Sequence, residues 1–140
     1  FVESLLDKPA ILSENNILEA NNICLWLIAA EKLINPKVMR LVLNSLAIIA
    51  HEDIFIGNSL TLDSSFTSLI ENILENVSEF TDQNIKATLH VLSIFSQYDE
   101  ENLWLVSLIP NLVNLLYKDL TDKIYSEVLF ILSNLAFKNK

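Results

Sequence analysis

Glycine is nearly absent from this chain of 140 residues: Gly57 is the single glycine, and Pro9, Pro36 and Pro110 are the three prolines. Tight turns depend on these two residue types, so their scarcity argues against a sheet with many hairpins and favours long helices joined by short connections. A phosphate-cradling loop, a dinucleotide-binding fingerprint and a nucleophile elbow all need several glycines. We therefore expect none of these enzyme motifs.

Cysteine is equally scarce, because Cys24 is the only one. The chain therefore cannot hold a disulfide framework or a cysteine-based zinc site. Cys24 lies inside an apolar helical pattern, which predicts a small buried residue in a protein from a reducing compartment. The two histidines, His51 and His90, do not have a metal-ligand spacing. We expect no metal, no cofactor and no catalytic residues, and hence no enzyme.

Positive charge is the third shortage: nine Lys and Arg, of which only Arg40 is an arginine, stand against 18 Asp and Glu, for a net charge of −9. Such a chain has little to offer a phosphate backbone, so we expect no binding to nucleic acid. The acidity has two interpretations, namely solubility or attraction for a basic protein partner. The chain also lacks a run of 18 apolar residues, so we expect no membrane span.

Apolar residues at helical spacing are what the chain has in abundance. Hydrophobic residues make up 51% of it, and their steps of three and four predict helices over residues 17–34, 37–51, 66–80, 84–98, 103–117 and 121–137. Asn35-Pro36 separates the first two helices, and Pro110 divides the fifth near Ile109. Residues 54–60 fit either a short helix or a loop anchor. Trp26 and Trp104 lie inside apolar helices and are predicted to be core residues.

Three of these helices share a pattern. Ser45–Asp53, Val91–Asp99 and Ile131–Asn139 align without gaps, which places Leu46, Leu92 and Leu132 in one column. Periods of about 40–47 residues made only of helices are typical of armadillo and HEAT arrays, and both steps along this leucine column fall within that range. We predict an all-α, right-handed solenoid of about three such units, roughly residues 17–53, 65–99 and 101–140, which together form a single segment over residues 1–140.

The last helix carries two neighbouring apolar stripes. The first stripe contains Ile124, Val128, Ile131 and Leu135, and the second contains Tyr125, Leu129, Leu132 and Ala136. One partner helix covers only one such stripe, so the second is predicted to meet a following repeat. Because the sequence also begins without an initiator Met, we expect a fragment of a longer array, with further repeats of the same chain as partners.

A third side of the last helix carries Glu127, Phe130, Asn134 and Phe137. An acid, aromatic rings and an amide on one exposed side could hold an extended basic peptide through stacking and hydrogen bonds. Alternatively, both phenylalanines are core residues packed on a neighbouring helix. On the middle helix Lys86, His90, Ser93 and Gln97 form a polar stripe, which is either a solvated face or a ligand contact.

Two phrases in the last unit resemble an armadillo repeat. Ile-Pro-Asn-Leu-Val-Asn-Leu-Leu (Ile109–Leu116) is similar to the family's Ile-Pro-x-Leu-Val-x-Leu-Leu helix, although Leu108 stands where the family has glycine. Leu-Ser-Asn-Leu-Ala (Leu132–Ala136) is similar to the Leu-Ser-Asn-Leu ending of the family's next helix. Among armadillo proteins the ending most resembles the importin-α group. The resemblance implies a cytoplasmic and nuclear adaptor that holds a basic nuclear-localisation peptide in a concave groove.

The importin-α groove uses a Trp-x-x-x-Asn pair on the last helix of each repeat, in which the tryptophan stacks on lysine stems and the asparagine clamps the peptide backbone. The matching pairs in this sequence are Asn44 with Ile48, His90 with Ile94, and Phe130 with Asn134. The resemblance thus implies peptide contacts at Asn44, His90, Phe130 and Asn134, with Glu127 beside them. The alternative is a structural armadillo scaffold within a larger complex, cytoskeletal or other, without peptide cargo.

Overall fold

The computed structural model describes residues 14–30, 33, 35–98 and 102–138. All regular secondary structure in that part of the chain is helical, which confirms the predicted all-α class. The helices are α1 (Glu14–Ala29), α2 (Pro36–Glu52), α3 (Ile54–Leu60), α4 (Ser64–Glu75), α5 (Asp82–Ser96), α6 (Leu103–Ser107), α7 (Ile109–Leu115) and α8 (Asp122–Lys138), with a 3₁₀ turn at Val77–Glu79. None of the described helices combines the length and the hydrophobicity that a bilayer crossing requires.

Short polar side chains fix where several helices begin. The Asn35 Oδ1 atom accepts a hydrogen bond of 2.8 Å from the backbone N–H of Lys37, directly after Pro36 in the first turn of α2. Asp53 caps α3, and Asn102 caps α6, in the same way. These side chains satisfy N–H groups that no helical carbonyl reaches. Pro110 needs no such partner in the first turn of α7, and the predicted division beside it is confirmed.

The helix predicted over residues 66–80 ends early, at Glu75. The Asn76 side chain donates to the Asn72 carbonyl at 3.1 Å and to Asn72 Oδ1 at 2.8 Å, and the Asn76 backbone has left the helical region. Such local bonds stabilise non-helical backbone at asparagine. Residues 54–60, for which two interpretations were open, form a helix. The end predicted for the first helix, at Ile34, lies outside the described residues.

The helices pack in two rows. In one row, which we call the second-helix row, α2 contacts α5 and α5 contacts α8. In the other row α1 contacts α4 and α4 contacts α7. The first residues of the second-helix row, Pro36, Asp82 and Asp122, follow one another at the same intervals as the leucine column found in the sequence.

The three helices of the second-helix row are parallel to one another. Near the starts of α2 and α5, the Asn84 Nδ2 atom donates to the Pro36 carbonyl at 3.2 Å, and near their ends the Tyr98 hydroxyl donates to the Ala50 carbonyl. Near the end of α8, the Asn134 Nδ2 atom donates to Ser96 Oγ at the end of α5, at 3.0 Å. Near their starts, Lys86 of α5 lines the same cleft as Asp122 and Lys123 of α8. Equivalent turns of the three helices therefore lie side by side.

The core lies between the two rows, and Phe66 of α4 is among its largest fully buried side chains. The Phe66 ring meets the Phe95 ring edge to face, with centroids 6.1 Å apart, and lies at the same distance from the Trp104 ring. Trp104 packs against this core as predicted, and its indole N–H donates to Glu71 Oε1 at 3.0 Å. Cys24 is fully buried, also as predicted, and burial raises its pKa to about 12.

Trp26 is the clear exception among the predicted core residues. It is 62% exposed, so its assignment to the core is wrong. Trp26 lies two positions from the buried Cys24, and side chains two positions apart point to nearly opposite sides of a helix. Because α1 packs against α2 and α4, it buries the Cys24 side and leaves the Trp26 side open.

The Tyr98 hydroxyl, just after α5, donates a hydrogen bond to the Ala50 carbonyl of α2. Ionisation of this hydroxyl would remove the hydrogen bond, so the contact is sensitive to alkaline pH. Burial, and secondarily the charge of Asp53, raise the pKa of Tyr98 from 10.0 to about 12. A folded-state pKa above the unfolded value means that the contribution of the neutral hydroxyl to stability is complete below pH 10. It is then lost as the pH rises towards 12.

Replacement of Tyr98 by phenylalanine is expected to lower the free energy of unfolding by about 1 kcal/mol at pH 7. It should also weaken the decline of stability between pH 10 and 12. Urea unfolding followed by circular dichroism across this pH range measures both effects. Tyr117→Phe, at an exposed position, is the matched control and should leave the profile unchanged. Identical profiles for the two variants would contradict the role of Tyr98.

Candidate protein-binding face

The second-helix row presents one side on which the residues predicted to contact a partner fall into register. Asn44, His90 and Phe130 occupy equivalent positions of α2, α5 and α8, and all three are exposed. Neighbouring helices lie ~8–10 Å apart, so the three side chains span roughly 20 Å. An extended polypeptide covers that length in about six residues.

One turn further along, the equivalent residues are Ile48, Ile94 and Asn134. We call these six residues the second-helix face: Asn44, Ile48, His90, Ile94, Phe130 and Asn134. Ile48 and Asn134 are half-buried and Ile94 is buried, so this second turn is less accessible than the first. The structure therefore places four of the five predicted contact residues in these two turns, and the fifth, Glu127, lies one turn before them on α8.

Phe130 supplies the aromatic surface of this face. Its side chain is 44% exposed, and that of Phe137, two turns further along the same side of α8, is exposed as well. These positions decide against the alternative interpretation that both rings are core residues. An exposed aromatic ring can stack on the stem of a lysine or arginine or on another planar group of a partner.

Asn134 is already engaged within the protein. Its Nδ2 atom donates to Ser96 Oγ, and that hydroxyl in turn donates to the Ser93 carbonyl at 2.7 Å. The bond holds α8 against α5 and leaves the Asn134 carbonyl oxygen and one N–H for a partner. This hydrogen bond was not predicted from the sequence. The available signal was Ser96 itself, because the equivalent positions of α2 and α8 hold alanines, Ala50 and Ala136.

Glu127 lies one turn before Phe130 on α8, at the edge of the second-helix face. It is half-buried and lines a cleft of about 400 Å³ together with Lys86, Asp122, Lys123 and Ser126. Two lysines at the same cleft offset the two acids, so Glu127 does not offer an isolated negative charge to a basic partner.

Charge is distributed unevenly between the second-helix row and the rest of the chain. The sequences of α2, α5 and α8 contain five Lys or Arg and four Asp or Glu, whereas the whole chain has nine and 18. The excess of acidic residues is therefore located off this row. Long-range attraction of a basic segment, which the composition alone allows, is not concentrated on the second-helix face.

The polar stripe on α5 has mixed surroundings. Ser93 is buried and donates to the His90 carbonyl at 2.7 Å, while Gln97 Nε2 donates to the Ser93 carbonyl at 3.1 Å. Only His90 and Gln97 are exposed, and Lys86 is half-buried. The interpretation of the whole stripe as a solvated face is therefore wrong for Ser93.

Among the described residues, no group of three or more His, Cys, Asp or Glu side chains is placed to hold a metal ion.

The arrangement offers an aromatic ring, an imidazole and amides on one side of three parallel helices. Such a side can contact an extended polypeptide by stacking and by hydrogen bonds to its backbone. Comparison of the chain with protein-family models, with curated proteins and with solved structures finds no match.

Proposed function

We propose that the chain is a segment of a right-handed, armadillo-type solenoid that binds a protein partner along its second-helix face. The register of the second-helix row carries this proposal, because α2, α5 and α8 are parallel, begin at the intervals of the leucine column and contact one another in chain order. Both α5 and α8 are also preceded by a short helix and a further helix. Units that stack in this way align equivalent residues into one extended surface.

In its most specific form the proposal is an importin-α-like adaptor for a basic nuclear-localisation peptide. The resemblance of Ile109–Leu116 and Leu132–Ala136 to the armadillo pattern supports this form, as does the exposure of Phe130. Phe130 would stack on a lysine stem of the peptide, while His90 and Asn44 would contact the segment that crosses α5 and α2. The predicted unit boundaries at residues 17–53, 65–99 and 101–140 remain predictions.

The alternative form is a structural scaffold without peptide cargo, and three observations favour it. The second-helix row is nearly balanced in charge, and the Asn134 amide is bound to Ser96. In addition, Ile48 and Ile94 stand where the adaptors have backbone-clamping asparagines. A scaffold of this kind would recognise a folded surface and have no measurable affinity for a short basic peptide.

Fluorescence anisotropy with a labelled ten-residue Lys/Arg-rich peptide separates the two forms. The adaptor form predicts binding at 50 mM salt that weakens at 300 mM salt, and no binding of a matched Asp/Glu-rich peptide. Phe130→Ala is expected to weaken the affinity roughly tenfold, since aromatic anchors dominate such contacts. Phe55→Ala is the matched control, because Phe55 is 84% exposed on α3 and lies outside the second-helix face.

The two variants also define the outcomes that count against the adaptor form. Absence of binding at 50 mM salt removes the adaptor form and retains the scaffold. Equal weakening by Phe130→Ala and Phe55→Ala would show that the peptide binds elsewhere, and would exclude the second-helix face as its site.

A further inference from the structure

All three helices of the second-helix row carry the same short pattern, Leu-x-x-Leu-small-x-x-small. In α2 it consists of Leu43, Leu46, Ala47 and Ala50; in α5 of Leu89, Leu92, Ser93 and Ser96; and in α8 of Leu129, Leu132, Ser133 and Ala136. These sets repeat at the same intervals as the helix starts, so they occupy equivalent sides of the three helices. We call the set on α8 the α8 docking side.

In α2 and α5 this side is covered by the next helix of the row. All eight residues there are buried, with exposed fractions of 4% or less. The covering helix is identified by its hydrogen bonds. Ser96 of α5 accepts from Asn134 of α8, and the Ala50 carbonyl of α2 accepts from Tyr98, two residues after the end of α5. The alanines and serines of the pattern let the next helix approach closely.

In α8 the same side is open. Leu129 is 55% exposed, Leu132 is half-buried, and Ser133 and Ala136 are exposed. The neighbouring stripe of α8, which faces the core, is buried at every position. A scattered exposed leucine needs no explanation, but a complete set of positions that is buried in both preceding helices is a surface suited to being covered.

We propose that the α8 docking side receives the second helix of a further unit of the same kind, lying parallel to α8 as α8 lies parallel to α5. Two existing interfaces indicate this occupant. At α2–α5 and at α5–α8, the same pattern in the same register is covered by the second helix of the next unit. The inference rests on the proposed repeat array, but it is independent of what the second-helix face binds.

An extended chain tests this directly, with a second copy of residues 97–140 joined after Ala136. That copy repeats the connection and the helices that already dock on α5. In the original chain Leu129→Ser is expected to lower the melting temperature by less than about 2 °C, because the side chain is mostly in water. In the extended chain the same substitution is expected to lower it by about 5–10 °C, because Leu129 becomes buried.

Leu62→Ser is the matched control, since Leu62 is 88% exposed in the connection between α3 and α4. It should shift the melting temperature equally little in both chains. The inference is overturned if Leu129→Ser has the same small effect in both chains, or if the extended chain contains no more helix by circular dichroism than the original. It is also overturned if the original chain sediments as a dimer that Leu129→Ser dissociates, because a second copy is then the occupant.

Failure of this proposal is distinguishable from failure of the proposed function. The peptide titration uses the original chain, in which the α8 docking side is open and the second-helix face is intact. Absence of peptide binding to the original chain therefore does not affect the melting-temperature shifts expected for Leu129→Ser. Equal shifts in the two chains likewise do not affect the peptide affinity expected for the original chain.

Discussion

Phe66→Ala is expected to lower the free energy of unfolding by about 3–5 kcal/mol. Phe66 is fully buried, and its ring contacts those of Phe95 and Trp104, with centroid distances of 6.1 Å to both. Truncation would leave a cavity where α4, α5 and α6 meet, and both remaining rings would lose an aromatic partner. A loss of this size is a large share of the stability of a small domain.

Urea unfolding followed by circular dichroism measures the effect of Phe66→Ala. Phe55→Ala removes the same atoms from an exposed position, so its cost should be within about 0.5 kcal/mol of zero. Both variants remove a phenyl ring, so the difference between their free-energy costs measures the effect of burial at position 66. A cost below about 1 kcal/mol for Phe66→Ala would be incompatible with the full burial of its side chain.

Gly57→Ala is expected to destabilise the protein by about 2–4 kcal/mol, although alanine is the better helix former by about 1 kcal/mol. A β-carbon at position 57 would lie 3.2 Å from both the α- and β-carbons of Ala50, and it would run into the Tyr98 hydroxyl. The β-carbon would press against the backbone of α2, which cannot move easily. It would also displace the Tyr98 hydroxyl and break its hydrogen bond to the Ala50 carbonyl.

Thermal and urea unfolding of Gly57→Ala should be compared with Ser59→Ala, which also adds helix propensity to α3 but at an exposed position. Ser59→Ala is expected to change stability by less than about 0.5 kcal/mol. In the Gly57→Ala, Tyr98→Phe double variant the hydroxyl is absent, so the combined cost should be less than the sum of the two single costs. A stabilising Gly57→Ala would mean that α3 does not approach α2 closely.

Local rules were sufficient to predict most of the helices. Asn35-Pro36 combines a capping side chain with a residue suited to the first helical turn, and the structure starts α2 there. Pro110 divides α6 from α7 for the same reason. Such features depend on two or three neighbouring residues, so the sequence contains all the information they require.

Features that depend on distant neighbours were not predictable in this way. Trp26 has the same apolar surroundings in sequence as Cys24, and only the position of α2 and α4 decides that one is exposed and the other buried. The engagement of Asn134 depends on Ser96, a residue far earlier in the chain, which becomes its neighbour only through the register of α5 and α8. The exposed position of Phe130, left open by its spacing, was decided by the same packing.

The central place of α5 has a consequence for how the protein unfolds. Because α5 lies between α2 and α8 and contacts both, it takes part in both interfaces of the second-helix row. Stability in a stacked row is approximately a sum over units and their nearest-neighbour interfaces. A substitution within α5 therefore weakens both interfaces of the row at once. A substitution within α8 weakens one interface of the row, α5–α8, together with the contact between α8 and α7.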